Sequence, residues 1–295
     1  MESRLLRIGA FVTLAVLTAA PLVAQRAQRL PLAPRLPKGD QVAPFFEGWL
    51  SNTDGTFTFS FGYFNLNTEQ ILDIPIGPDN FIEPAEFNGN QPTHFPVQPR
   101  RDRGVFSVTV PASYGDGRQR VVWTITSNGK TYAVPAKVGV SALQIDYGPK
   151  AMGSVAPLVR IPPDGPEGES IQGVRSQPRT VVVGTPLTLT VWASEISERS
   201  PDDVVNRDGV SLALTWAKHQ GPVAEVVFEP RRVTIEEGTG EATITATFSE
   251  AGEYLLRVRV DNFAANDSTG GDQCCWTNGY VPVTVTPADG MPDRD

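Results

Sequence analysis

Apolar and polar residues alternate with period two along most of this chain. Phe57, Phe59, Phe61 and Tyr63 alternate with Thr58, Ser60, Gly62 and Phe64. This places an aromatic face on one side of a predicted strand and a mostly small or polar face on the other. Phe106, Val108 and Val110 repeat the pattern against Ser107 and Thr109, and Val121, Trp123 and Ile125 repeat it against Val122, Thr124 and Thr126. Asn128-Gly129 tolerates positive φ at both centres of a tight turn, so it predicts a hairpin into Thr131 to Ala136. No segment carries a helical stripe. Residues 44–140 are therefore expected to form an antiparallel β-sandwich.

A second set of alternating segments follows. Leu187, Leu189 and Val191; Leu212, Leu214 and Trp216; Ile244, Ala246 and Phe248; Tyr254, Leu256, Val258 and Val260; and Val281, Val283 and Val285 each alternate with intervening residues. Their spacing, with turn signals between them, predicts a second sandwich over residues 179–287. Two stretches rich in Pro and Gly interrupt the pattern. Gly77 to Gly104 is a long loop inside the first domain, a length that marks a loop as functional or loosely ordered. Residues 141–178 read as a linker, although Ala156 to Ile161 can already supply the first strand of the second domain.

Particular residues of the second domain carry a resemblance. Val182-Val183-Gly184-Thr185-Pro186-Leu187-Thr188-Leu189, then Leu214-Thr215-Trp216 with Gly221-Pro222, then Ala246-Thr247-Phe248 leading into Gly252-Glu253-Tyr254-Leu255-Leu256, resemble a PKD-type immunoglobulin-like domain. The resemblance implies that Trp216 packs across to the partner sheet and that Tyr254 forms a tyrosine corner. It implies an extracellular adhesion or spacer module and no catalytic residues. The expected fold class is thus all-β: two consecutive antiparallel immunoglobulin-like sandwiches after a signal peptide. The departure from the family pattern is a long insert from Asp261 to Gly279. The N-terminal domain resembles no characterised family.

The signal peptide is read over residues 1–24. Arg4 and Arg7 precede an uncharged run from Ile8 to Ala24, and Pro21 precedes Leu22-Val23-Ala24. No later stretch is long and apolar enough to span a membrane, so the expected localisation is exported, periplasmic or extracellular, with no membrane association after cleavage. Residues 25–43 form a lead-in rich in Pro and Arg, and residues 288–295 a flexible tail. The net charge of −8 argues against nucleic acid as a partner.

Candidate chemistry concentrates in the Asp261–Gly279 insert. The only two cysteines are adjacent, Cys274 and Cys275. In an oxidising compartment they can bond to each other, bond between chains, or stay reduced as a soft metal site. A mutual bond would serve as a loop clip, a redox switch or a flat ligand platform. Trp276, Asp272, Asn278, Asp261 and Asp267 surround the pair and complete the candidate binding loop. Its carboxylate and amide oxygens give Ca²⁺ as a candidate ion, although no EF-hand spacing is present and the metal, if any, is unknown; no other cofactor is expected. Arg100, Arg101 and Arg103 form a weaker candidate anion site. The two histidines fall in different domains: His94 in the long loop, and His219 beside Gly221-Pro222, where a surface turn is expected. No catalytic residue is assigned. The leading expectation is a non-catalytic binding or scaffolding module for a protein or glycan. The alternative is an exported redox or metal-binding protein, or a hydrolase, using Cys274-Cys275 or a carboxylate pair.

Overall fold

The computed structural model describes residues 34–139, 141–147, 153–199, 210–264 and 275–288. The predicted signal peptide, the lead-in up to residue 33 and the tail from residue 289 lie outside them.

The first alternating segments build β1 (Val42–Ser51), β2 (Phe57–Asn65), β3 (Leu72–Asp73), β4 (Asn80–Glu83), β5 (His94–Phe95), β6 (Asp102–Val110), β7 (Val121–Ser127) and β8 (Lys130–Ala136). The sheet β1-β2-β6 faces the sheet β4-β7-β8, and β3 pairs with β5. Between them lies an aromatic core. Phe61 stacks on Phe106 at 5.1 Å between ring centres, and Phe106 meets the Trp123 indole edge-on at 4.8 Å. Trp123 is fully buried and its Nε1–H donates to Asn80 Oδ1 at 3.0 Å, which satisfies the one polar atom the ring carries inward. The predicted hairpin at Asn128-Gly129 joins β7 to β8, with both residues at positive φ.

The second set gives β9 (Leu158–Arg160), β10 (Glu167–Gly168), β11 (Val174–Arg175), β12 (Arg179–Val182), β13 (Leu187–Ser194), β14 (Leu212–Gln220), β15 (Val226–Glu229), β16 (Arg232–Ile235), β17 (Thr239–Phe248), β18 (Gly252–Asp261) and β19 (Trp276–Thr286). One sheet runs β10-β9-β13-β17-β15. The other runs β11-β19-β18-β14-β16, with β12 pairing in parallel to β19. The stretch expected as a linker therefore contributes β9, β10 and β11 to the second sandwich. The core is mostly aliphatic around Trp216, which is buried against Phe228 at 6.3 Å. The Tyr254 hydroxyl donates to Glu250 O at 2.8 Å, closing the tyrosine corner that the resemblance implied.

The described residues from Arg35 onward belong to one compact unit. The two cores are nevertheless distinct clusters, and a third, smaller cluster of Ile145, Ile171 and Trp276 lies between them, flanked by Leu50 and Phe263. The face of β2 opposite the aromatics is not a solvent face. Thr58 and Ser60 are buried; Thr58 accepts from Gln172 Nε2 at 2.8 Å, and Ser60 donates to Glu47 at 3.0 Å. The stretch from Gly77 to Gly104, expected as one long loop, instead carries β4, β5 and the start of β6, and the connection between β4 and β5 is held by the second sandwich. Thr93 N–H donates to His219 O at 2.8 Å, and Gln220 Nε2 donates to Gly89 O and Gln91 O, both at 2.8 Å. Gly89, Asn90, Gln91 and Thr93 thus dock this stretch against β14 of the second sandwich.

Candidate functional site

The insert expected to be a loop from Asp261 to Gly279 is shorter at both ends than the sequence implied. β18 and β19 stay paired out to Asp261 opposite Trp276, through Val260–Thr277 and Arg259–Asn278. Polar Thr277 and Asn278 hid this strand from a period-two reading. They are buried because the first sandwich and the residue 157–171 segment cover them. Thr277 donates to Pro157 O at 2.6 Å, and Asn278 Nδ2 donates to Gly104 O at 3.0 Å. Beyond the last pair, Asn262 N–H donates to Cys275 O and Cys275 N–H to Asn262 Oδ1, both at 3.2 Å. Cys275 is disulfide-bonded and buried. Cys274, Asp272 and Asp267 lie outside the described residues.

Of the remaining candidate residues, Asp261 is buried and accepts from Arg259 Nε at 3.1 Å. Burial raises its carboxyl pKa, against the pull of Arg259. Trp276 is buried to 1% exposure, wedged between the sandwiches rather than presented on a loop tip. Its indole lies against Gly104, where a Cβ would overlap the ring; with φ at +61°, that position suits glycine twice over.

Beside Cys275 and Trp276 opens a groove of about 610 Å³, walled by both sandwiches. Leu50, Ile145, Val155, Ile171 and Ile196 give it an apolar surface, and Asp54, Asp146 and Glu169 place carboxylates along it. The volume lies within the range of small-molecule pockets, which share such a lining of apolar walls and a few polar groups.

Underneath, the junction is polar. The β1–β2 register shifts at Phe46/Gly48, with the extra residue on β1, and the β2–β6 register shifts at Phe61/Tyr63, with the extra residues on β6; the two shifts meet where Glu47 lies against Gly62. The buried Glu47 carboxylate accepts from Gly104 N–H at 2.7 Å and from Ser60. Burial raises its pKa despite those bonds and the Arg101 guanidinium 3.8 Å away. From the other side, Arg257 donates to Gly104 O at 3.1 Å and to Asp102 at 3.2 Å, while Arg259 donates to Arg103 O at 2.8 Å. The candidate anion cluster does not converge. Arg100 is exposed, Arg101 lies over the Phe45 ring near Glu47, and Arg103 offers its carbonyl to Arg259.

Both histidines sit at the same junction. His219 is buried instead of lying on a surface turn, because the Gly77–Gly104 stretch covers it. Its Nε2–H donates to Asn90 O at 2.8 Å, which leaves the neutral ring's Nδ1 as an acceptor without a partner. Burial, aided by the Arg257 charge, pushes its pKa down to about 3. His94, for which the sequence offered no partner, meets Asp73 at 2.8 Å, and buried Lys218 meets the same carboxylate at 3.2 Å. Lys218 also donates to Pro222 O and Ala224 O. No local sequence signal joins these three, since Asp73 and His94 come from the first sandwich and Lys218 from the second.

No family model matches the chain, and no curated protein matches it. Among solved structures it is similar to the PKD domain of human KIAA0319, at 16% identity over 48% of this chain and 93% of that one, with a TM-score of 0.24. It is similar to domains 4 and 5 of the S-layer protein SbsC, at 14% identity over 71% and 77% of the two chains, with a TM-score of 0.24. It is also similar to the D00–D0 domain of intimin, at 11% identity over 83% and 100%, with a TM-score of 0.24.

Proposed function

We propose that this chain is an exported binding module whose two sandwiches, locked by their polar junction, hold a protein or glycan partner in the groove beside Cys275 and Trp276. The observation that carries the reading is the groove itself: both sandwiches contribute walls to it, so locking them together fixes its shape before any partner arrives. Cys274 is the chain's only other cysteine, and we take it as the partner of Cys275. An oxidised pair offers no thiolate to a soft metal, which favours the binding reading over a thiolate centre. The sequence supports export through its charged start and uncharged run.

The test places a photo-crosslinking residue at Thr53 or Ile196, on the groove, and at Tyr132, which is exposed outside it. A glycan panel and extracts of cell-surface proteins are then presented to each variant. The expected result is a partner captured from the first two positions and not from Tyr132, and lost on Ile196→Arg. A partner captured equally from Tyr132, or one that survives Ile196→Arg, overturns the groove as the site.

A further inference from the structure

A second, smaller groove lies on the outer face of the strands β18-β14-β16, and four arginines make up half of its lining. Arg231, Arg232, Arg257 and Arg259 surround a space of about 300 Å³. The register builds it. Arg232 and Arg259 sit opposite Thr215 on either side of β14, and Arg257 sits opposite Ala217 two residues along. Residues two apart on a strand share a face, so small side chains on the middle strand leave a hollow between long ones on its neighbours.

Among the described residues one carboxylate lines this groove, Asp102, which Arg257 and Arg259 already hold at 3.2 and 3.4 Å. Arg259 is further paired with Asp261. Among the described residues, neither Arg231 nor Arg232 enters an ion pair; Arg231 is anchored instead by its Nε–H to Trp216 O at 3.2 Å. Clamping the two sandwiches through Asp102 therefore accounts for two of the four guanidinium groups. It leaves two polar atoms unaccounted for as well. Arg257 is 4% exposed, and its Nε has no hydrogen-bond partner; the buried Thr215 Oγ1 has none either. Like charges gathered around so small a space repel, and unpaired buried donors cost free energy, unless something anionic joins them. This happens in a chain whose net charge is −8.

We infer that the groove between Arg231, Arg232, Arg257 and Arg259 binds an oxyanion group carried by an acidic ligand. Guanidinium forks match such groups in shape and charge, and the Thr215 hydroxyl supplies a neutral donor at the floor. The site is separate from the groove beside Trp276, and its failure would leave the reading of that groove untouched.

The test follows the arginine Nε–Hε signals of the purified protein by NMR while sodium sulfate, sodium acetate or sodium chloride is added at matched ionic strength. A saturable shift of the Arg257 signal with sulfate or acetate, and not with chloride, is expected. A preference for sulfate identifies a sulfated or phosphorylated ligand as the source, and a preference for acetate identifies a carboxylate. Arg232→Gln, at an exposed position outside the junction, should weaken the binding about tenfold, the scale of one lost charge-assisted hydrogen bond. Arg118→Gln, at a highly exposed site elsewhere, should leave it unchanged. The backbone spectrum of each variant reports whether it has folded. A response shared equally by chloride, or one unaffected by Arg232→Gln in a folded protein, overturns the site.

Discussion

The core of the second sandwich and the junction between the sandwiches are both buried, yet they are built in opposite ways. In the core, Leu214, Trp216, Val258, Val260 and Val283 meet with no charge among them. At the junction, Glu47, Asp102, Arg257, Arg259, Lys218 and His219 are drawn in with their hydrogen-bond partners. The core gains from removing apolar area from water, a non-directional effect that tolerates exchange among shapes of similar volume. The junction gains little net free energy from each polar contact, but every contact has a direction, and a misplaced partner leaves a buried charge unpaired. One region supplies stability. The other fixes how two stable pieces sit together.

The largest expected effect tests the core half of this contrast. Trp216→Ala removes a ring buried to 1% exposure and should destabilise the protein by about 3–5 kcal/mol in denaturant unfolding, the usual cost of truncating a large buried aromatic. A change below about 1 kcal/mol would mean that the second core is not organised around this ring.

The contrast also explains what could be read in advance. The cores were legible because period-two alternation is local: Phe57 to Tyr63 and Tyr254 to Val260 announce their faces within a few residues. The tyrosine corner was legible for the same reason, through Gly252-Glu253-Tyr254. The junction was not, because its logic is long-range. Thr58 and Ser60 look like a solvent face until Gln172 and Glu47 cover them. Thr277 and Asn278 look like loop residues until Pro157 and Gly104 accept their hydrogen bonds. The candidate site suffered most from this. The cysteine pair was visible as a motif, whereas the groove walls come from residues as far apart as Leu50, Ile196 and Trp276. The arginines of the second groove come as two pairs, Arg231-Arg232 and Arg257 with Arg259, separated in sequence by β17, while the clustered Arg100, Arg101 and Arg103 disperse.

The second prediction tests the junction half. Neutral His219 is held with a pKa near 3, against 6.5 for an ordinary imidazole. On acidification the unfolded chain takes up this proton as the pH falls through 6.5, while the folded protein refuses it until about 3. Stability from this group is therefore complete above 6.5 and is lost at about 1.4 kcal/mol per pH unit below it, or about 2 kcal/mol by pH 5. Glu47 and Asp261, whose pKa values are raised, act with the opposite sign, since their contribution is lost as the pH rises past the ordinary carboxylate range. His219→Gln separates the two, because the Gln amide can still donate to Asn90 O but does not titrate. Denaturant unfolding from pH 7.5 to 5 should show a slope in the native protein that the variant lacks. Equal slopes would remove His219 from the account of the junction.

The smallest expected effect lies where core and junction meet, at the disulfide of Cys275. If Cys274 is its partner, the covalent ring spans neighbouring residues and removes almost no freedom from the unfolded chain, since loop-closure entropy depends on the length of chain enclosed. Cys275 is also held without the bond, by its backbone hydrogen bonds to Asn262 and by burial beside Trp276. Changing both cysteines to Ser should thus leave the melting temperature nearly unchanged, within about 2 °C. The consequence should be local: faster amide exchange at Asn262 and Cys275, and weaker capture of any partner held in the neighbouring groove. Mass spectrometry of unreduced, alkylated protein checks the premise. Two alkylated thiols would refute the bond, and a covalent dimer on a non-reducing gel would turn the pair into an assembly clamp. A large fall in melting temperature would place the disulfide with the core, as a source of global stability, and the division drawn between the two regions would then fail at this point.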